Sequence, residues 1–431
     1  MSGPGLLASL LLLAAAASAQ CIPFAPFQAA GNVPTGVPPS GTLTEISGVE
    51  ASRRNPGVLW VHDDSGHGAI VVALRADGAL GQAHELTGVS PTDWEDVALG
   101  PGPDPGREYL YLADVGDNAM TRASIALVRV AEPDVPAAPG PLRALGGAET
   151  FRCVYPDGPH NAETLLIDPL DGTPYVLTKE LSTTARLYRY PLPLDSGVTK
   201  VLVLAGTFSG MPILFTGGDV APDGSFVFAR SVLSLQAFPR APGAPFADAF
   251  RASACPVSVN AQGQAEALAV EPDGLGLVAI SEGAGAPIWR ARGTLPAGRA
   301  AFATWSAFGS GLAGAAGVPG LGLDGPPLLG RRPVTIGLWQ ARPAAAAVLA
   351  LSLTSFPDGV LPLAGGWAHV LPDALFPLVC DAGGRAQLAL GVLPDEPALR
   401  GLRVHAQAAV GDAAAVQGLA LTPGLTVVLE R

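Results

Sequence analysis

The chain has 431 residues, 48% of them apolar and only 14% charged, and glycine (54) and proline (42) together exceed a fifth of it. That balance excludes a disordered protein, and so many helix breakers argue against a coiled coil or helical bundle. The net charge of −12, from 25 basic and 37 acidic residues, argues against nucleic acid or an anionic membrane as partner, since both require a basic surface.

The first segment, Met1 to Ala19, has an apolar core from Leu6 to Ala16 and a small-residue site at Ala17-Ser18-Ala19. It predicts a cleaved export signal, too short to span a bilayer, and no later stretch predicts a transmembrane helix. The expected location is therefore extracellular, periplasmic or at the cell surface. Gln20 before Cys21 disfavours lipoprotein processing, which requires a small residue there. The four cysteines, Cys21, Cys153, Cys255 and Cys380, allow three disulfide pairings and contain no CxxC metal or redox spacing.

From residue 42 to about 305 one pattern recurs five times: apolar strand, Gly/Pro turn, second apolar strand, third strand. The copies align at Ser47, Glu95, Glu163, Gly218 and Glu266, and their turns are Asn55-Pro56-Gly57, Asp104-Pro105-Gly106, Asp171-Gly172, Pro222-Asp223-Gly224 and Pro272-Asp273-Gly274. Antiparallel strands at this period predict a β-propeller over residues 20–305, of five blades, or six if the insert between Glu132 and Phe151 hides one. The last copy is short, so the stretch from Cys21 to Leu43 is expected to supply the outer strand that closes the ring. Trp60, Trp94 and Trp289 are expected as wedges between blades.

Residues 306–330, rich in glycine and proline, read as a linker and lead-in to a further domain. Over 331–431 apolar residues alternate, as in Leu402, Val404, Ala406 and Ala408 opposite Arg403, His405 and Gln407. That period of two predicts a small antiparallel β-sandwich. Residues 306–431 hold 7 basic and 8 acidic residues, leaving 18 and 29 in the rest, so the acidity belongs to the propeller. The fold class expected is all-β.

The runs His62-Asp63-Asp64-Ser65-Gly66, Asp93-Trp94-Glu95-Asp96-Val97-Ala98 and Tyr109 to Asn118 resemble a group of exported bacterial β-propeller proteins. Gln264 to Ala269 and Ser281-Glu282-Gly283 fit the same group. More distantly the chain is similar to SMP-30/gluconolactonase-like and phytase-esterase-like propellers. The tail from Phe308 resembles a β-domain at the C-terminus of large exported bacterial proteins, which implies an attachment or sorting role. The resemblance implies fold and location, and transfers no activity.

In a propeller the start of each first strand and the end of each second strand share a face. This predicts a carboxylate-lined mouth. Its expected cation ligands are Asp63, Asp64, Glu95, Asp96, Asp114, Asp117, Glu163 and Glu266. Lys179, Arg230, Glu180, Asp219, Glu282 and Asn118 are expected to line it as ligand-binding residues. Two carboxylates about 7 Å apart repel by roughly 2 kcal/mol at an effective dielectric near 20. Protonation, Lys179 and Arg230, or a bound cation must relieve this, and an all-oxygen site in an exported protein points to Ca²⁺. Against this, the acids can simply be solvated loop residues or strand-end caps. His62, or His160 with Glu163, could in principle ligate zinc. No GxSxG elbow, P-loop or Rossmann fingerprint occurs in context, and Ser65 and Ser281 read as turn serines. Three readings follow. The first is an exported binding protein whose cation-holding mouth grips a polar ligand or partner. The second is a metal-dependent hydrolase of an ester, lactone or phosphoester. The third is a structural surface protein.

Overall fold

The computed structural model describes residues 21–32, 43–64, 66–75, 77–258, 265–296 and 298–431. The export signal expected over Met1 to Ala19, and Ser65, lie outside the described residues. The propeller part is built of five sheets. Their inner strands are Ile46–Ala51, Trp94–Pro101, Ala162–Ile167, Phe215–Val220 and Ala265–Val270. Each contacts the inner strand on either side, and the last contacts the first, so the sheets close into a ring.

The repeat explains each sheet. A buried inner strand turns at a glycine of positive φ, such as Gly57, Gly106, Gly172, Gly224 or Gly274, into a second buried strand. Only residues without a Cβ adopt that φ cheaply, which is why the turns recur in sequence. Wide apolar strands on both faces then pack sheet against sheet, with Trp60 and Trp94 sealing the space between the first two.

The chain uses its irregular segments as stitches. Residues 132–148 insert Arg143–Leu145 parallel to the outer strand Leu80–Leu86 of the first sheet, before Glu149–Val154 completes the second. Lys200–Val201 likewise returns to the edge of the second sheet before the third is finished. The N-terminal strand Gln28–Asn32 pairs with Pro287–Arg292 as the outer strand of the fifth sheet. A Cys21–Cys255 disulfide ties it to the outer strand of the fourth, while Cys153 and Cys380 are free and buried.

The C-terminal part packs two antiparallel sheets on one core. One contains Thr304–Phe308, Gly424–Val428, Arg403–Gly411, Ala346–Ser352 and Ala374–Val379; the other contains Gly320–Leu323, Pro333–Trp339 and Ala386–Val392. Trp305, Leu321, Ile336, Leu349, Ala408 and Leu425 meet in that core. The 306–330 stretch is therefore not a free linker. Gly320–Leu323 is a buried strand, because Gly322 permits backbone approach that any Cβ would block.

This second unit sits on the turn end of the propeller. Arg385 pairs with Asp104 at 2.7 Å, Arg54 lies over the Trp339 ring at 5.3 Å, and Ala307 N–H donates to Arg53 O at 2.9 Å. A Cβ on Gly106 would come within 2.9 Å of Gly337 Cα. One end of the ring is thus covered, which leaves the end bearing the strand starts for a ligand. No described helix is long and apolar enough to cross a membrane.

Candidate functional site at the open mouth of the ring

The inner strands bring one residue each to the mouth through a β-bulge. The register breaks at Ser47, Glu95, Glu163, Thr216 and Glu266. The fourth position is Thr216, not the Gly218 expected from the repeat. Its hydroxyl donates to Ala265 O at 2.7 Å, just as the Ser47 hydroxyl donates to Glu95 O at 2.7 Å. The mouth ring therefore holds three carboxylates and two hydroxyls.

The corrected register moves Asp219 out of the mouth. It lies three residues along its strand, as Glu50 does after Ser47, inside the channel. Inner strands are sheet edges with unpaired N–H groups, and here they are buried. Three acids meet this need. Asp219 accepts from Val220 N–H and Val270 N–H at 2.6 Å each. Asp96 accepts from Val97 N–H at 2.9 Å and Leu165 N–H at 2.8 Å. Glu50 accepts from Ala51 N–H at 2.7 Å and Leu99 N–H at 3.1 Å. Each carboxylate thus staples its own strand to the next sheet. Asp96 and Asp219, expected as mouth residues, have both oxygens committed to backbone and serve the fold instead. Burial pushes Asp96 and Glu50 well above the ordinary carboxylate range, and Asp219 to about 6.

One group of three acids with metal-ligand spacing is present among the described residues: Asp64, Asp93 and Glu95, each placing one oxygen within 4.8 Å of the others. Asp64 follows the second strand of the first sheet, and Asp93 and Glu95 begin the second sheet on either side of Trp94. Asp93 is not among the ligands expected from the sequence, which took acids at the strand starts, whereas Asp93 precedes the first residue of its strand, Trp94. Its signal is the acid–x–acid spacing, which a bulge at the second acid turns toward one side.

Other predicted ligands support this group from outside. Asp114 accepts from Thr92 N–H at 3.1 Å and from Asp93 N–H at 3.0 Å, and takes Arg122 Nη2 at 2.8 Å, so it positions the Asp93 loop. Asp117 accepts from Thr121 N–H and Arg122 N–H at 2.9 and 2.8 Å, which makes it a turn cap rather than a ligand. Asn118 is exposed and accepts from Asn161 Nδ2 at 3.0 Å. Between them Gly116 carries no side chain, and a Cβ there would overlap both Glu95 Oε1 and Asp93 Oδ2. Asp63 faces away, accepting from Glu45 N–H at 3.3 Å with His67 Nε2 3.8 Å from its other oxygen.

Across the mouth, Glu163 is ion-paired with Lys179 Nζ. Glu266, only 8% exposed, leaves Oε2 without a hydrogen-bond partner among the described residues. Buried Arg230 donates to Ala267 O at 3.2 Å and faces Glu266, as does half-buried Glu282. Glu180 takes the Thr178 hydroxyl at 3.1 Å and pairs with Arg186, so it belongs to the rim. His62 is packed under Gly48 against the Trp94 ring, and burial lowers it to about 4, a neutral core residue. His160 bonds Asp157 and the Tyr188 hydroxyl, at 3.1 and 2.9 Å. Neither histidine joins an acid group with metal-ligand spacing, so the zinc expectation has no support.

Crowded buried carboxylates shift upward. Burial, then the charge of Glu163, Asp64 and Asp93, pushes Glu95 to about 11. Burial raises Glu266 to about 8, with Glu163 adding to the shift, and raises Asp93 to about 6, with Asp64 adding. Glu163 rises to about 7 through burial, against the opposing pull of Lys179. Burial pulls the Lys179 ammonium down, but Glu163, Glu266 and Glu95 more than reverse this and leave it raised.

These shifts have a sign in stability. A folded value above the unfolded one gives stability that is complete below the unfolded value and lost as pH rises through the folded one. The buried neutral histidines act oppositely but only below about pH 6.5. Between pH 6.5 and 8.5, Glu163 and Glu266 should therefore cost the cation-free protein about 2–3 kcal/mol. Thermal unfolding in chelator across that window checks this, and a flat or rising melting temperature would contradict it.

No protein-family model matches the chain, and no curated protein matches it. Among solved structures it is similar to a gluconolactonase from Xanthomonas campestris, at 13% identity and a TM-score of 0.35, over 64% of this chain and 100% of that one.

Proposed function

We propose that this chain is an exported propeller binding protein whose open mouth holds a divalent cation between Asp64, Asp93 and Glu95 and presents it to a polar ligand. The observation that carries the reading is the three-acid group, with oxygens within 4.8 Å of one another. Ligands on opposite sides of a Ca²⁺ ion lie about 4.8 Å apart, twice a bond of about 2.4 Å, and Mg²⁺ draws them closer. The close approach of the Glu95 and Asp93 carboxylates to Gly116, which any Cβ would prevent, and the repulsion stored in the group support the same reading. The Cys21–Cys255 disulfide supports export, since such bonds persist in oxidising compartments. When bound, the cation would supply positive charge and open coordination positions. Lys179, whose charge acts on Glu95 through space, adds a fixed cation across the mouth, and the Ser47 hydroxyl, 3.3 Å from Glu95 Oε2, holds that carboxylate in place.

The test is thermal unfolding at pH 8 with chelator and with Ca²⁺. At a hundred times its dissociation constant the ion should add about 2.7 kcal/mol. Asp93→Asn should retain the fold and lose most of the Ca²⁺ response, because the amide keeps the shape and removes one charge. Gly116→Ala should do the same by filling the cradle. Protons compete with the ion for the same oxygens, so the gain should be smaller at pH 6.5. A melting temperature indifferent to chelator and Ca²⁺ at both pH values would sink the reading.

A specific observation favours hydrolysis as the second reading. Glu266 Oε2 is buried and without a hydrogen-bond partner among the described residues, at the mouth, where a carboxylate could take a proton from water beside a polarised ester or lactone. Glu266→Gln would then abolish Ca²⁺-dependent turnover of such substrates while leaving the Ca²⁺ melting shift intact.

A further inference from the structure

On the covered side of the propeller, away from the mouth, a cleft of about 590 Å³ opens between the ring and the C-terminal unit. Its walls come from both. Phe226, Pro239 and Arg240 belong to the fourth sheet, Arg299 to the segment leaving the fifth, and Leu328, Arg331 and Arg332 to the C-terminal unit. In a chain of net charge −12, five arginines here, Arg240, Arg299, Arg331, Arg332 and Arg431, face a single lining acidic side chain, that of Asp223.

Two of the arginines are spent on the fold. Arg240 Nη1 pairs with Asp168 at 2.9 Å, and Arg299 pairs with Asp223 while its Nη1 donates to the Ser225 hydroxyl at 2.8 Å. Arg331 and Arg332 form no ion pair among the described residues. Arg332 donates only to carbonyls, Leu170 O at 3.2 Å and Asp324 O at 2.6 Å. Arg331 is exposed, and Asp395, the acid that feels its charge, is held by Arg400 Nε at 2.8 Å. Two adjacent guanidinium groups thus stand without a direct ion pair among the described residues, with Asp324, Asp168 and Asp171 acting on Arg332 only through space, beside a ledge made of Phe226, Leu328, Pro239 and Pro242. Arginine forks match oxyanions in geometry, and a mostly apolar pocket with a few converging charges is how small organic ligands are held.

We infer that this cleft binds a small organic anion, with a carboxylate or phosphate head on Arg331 and Arg332 and an apolar body along the Phe226–Leu328 ledge. Because the cleft is walled by both units, such a ligand bridges them. Its size and single small positive patch suit a small molecule rather than a polyanion, which would need a long basic track.

The experiment is calorimetric titration of the full chain at low ionic strength with decanoate, decyl phosphate, inorganic phosphate and decanol. Decanoate and decyl phosphate report which head is preferred, and at least one should bind at one site. Decanol, which keeps the body and removes the charge, and inorganic phosphate, which lacks the body, should each bind at least tenfold more weakly. Arg331→Glu alters an exposed side chain without a structural bond, so it should weaken binding tenfold or more at an unchanged melting temperature. Ala241→Trp, on the exposed rim, should block the cleft and keep the fold. Equal affinity for decanol, or affinity unaltered by both variants, overturns the inference, as does the absence of heat with either anion.

Discussion

Asp219→Ala is expected to lower the unfolding free energy by about 3–5 kcal/mol, among the largest effects of any single side chain in the ring. The carboxylate accepts two backbone N–H groups, from Val220 in its own sheet and Val270 in the next, at 2.6 Å each. Alanine leaves both donors buried without a partner, at about 1–3 kcal/mol each, and opens a small void. One term runs the other way. Asp219 raises the buried Glu50 carboxyl across the channel, so its removal relieves that repulsion and trims the loss. Asp219→Asn should cost less, because one oxygen still accepts. The measurement is the denaturant midpoint, together with amide exchange at Val220 and Val270, which should lose protection in the alanine variant alone. An unchanged midpoint in Asp219→Ala would mean that the acid does not staple the sheets. Asp96→Ala should behave likewise at Val97 and Leu165.

Removing the Cys21–Cys255 bond should cost a comparable amount. It links residues 234 apart in sequence, and the chain-entropy relation gives about 5 kcal/mol as the ceiling for a loop of that size. The bond acts where the ring is weakest. The fifth sheet borrows its outer strand, Gln28–Asn32, from the N-terminal end, so closure there rests on one short strand and on the tie to the fourth sheet. The double variant Cys21→Ser, Cys255→Ser should unfold at a lower denaturant concentration than the oxidised protein. Thiol titration of the unfolded, unreduced chain should find two free groups, Cys153 and Cys380. Four free thiols, or an unchanged midpoint in the double variant, would contradict the assignment.

Much of this architecture was legible in the chain. Turns such as Pro222-Asp223-Gly224 and Pro272-Asp273-Gly274 sit where positive-φ glycines are required, and the apolar runs on either side are the inner and second strands. The borrowed N-terminal strand followed from the short last copy. The tail was legible as alternating strands, but Gly320–Leu323 read as linker, because a strand of glycine and leucine has no polar face to reveal its period. The mouth was legible only as a set of acids.

The inventory is written in the residues: an all-β chain, repeated turns, a net negative charge carried almost wholly by the propeller, and acids at the strand starts. Which acids converge was decided by tertiary structure alone. The deciding feature is the bulge, which changes the face every later side chain presents. In Phe215-Thr216-Gly217-Gly218-Asp219 the two glycines carry no side chain to mark the register. The pattern therefore fits two alignments equally, and only packing against Ala265 selects Thr216 as the mouth residue. Glu95 and Asp96 make the same point side by side. They are adjacent and chemically alike, yet one joins Asp64 and Asp93 at the mouth while the other is consumed by backbone donors of two sheets, because a carboxylate's role follows from what the neighbouring blade offers it.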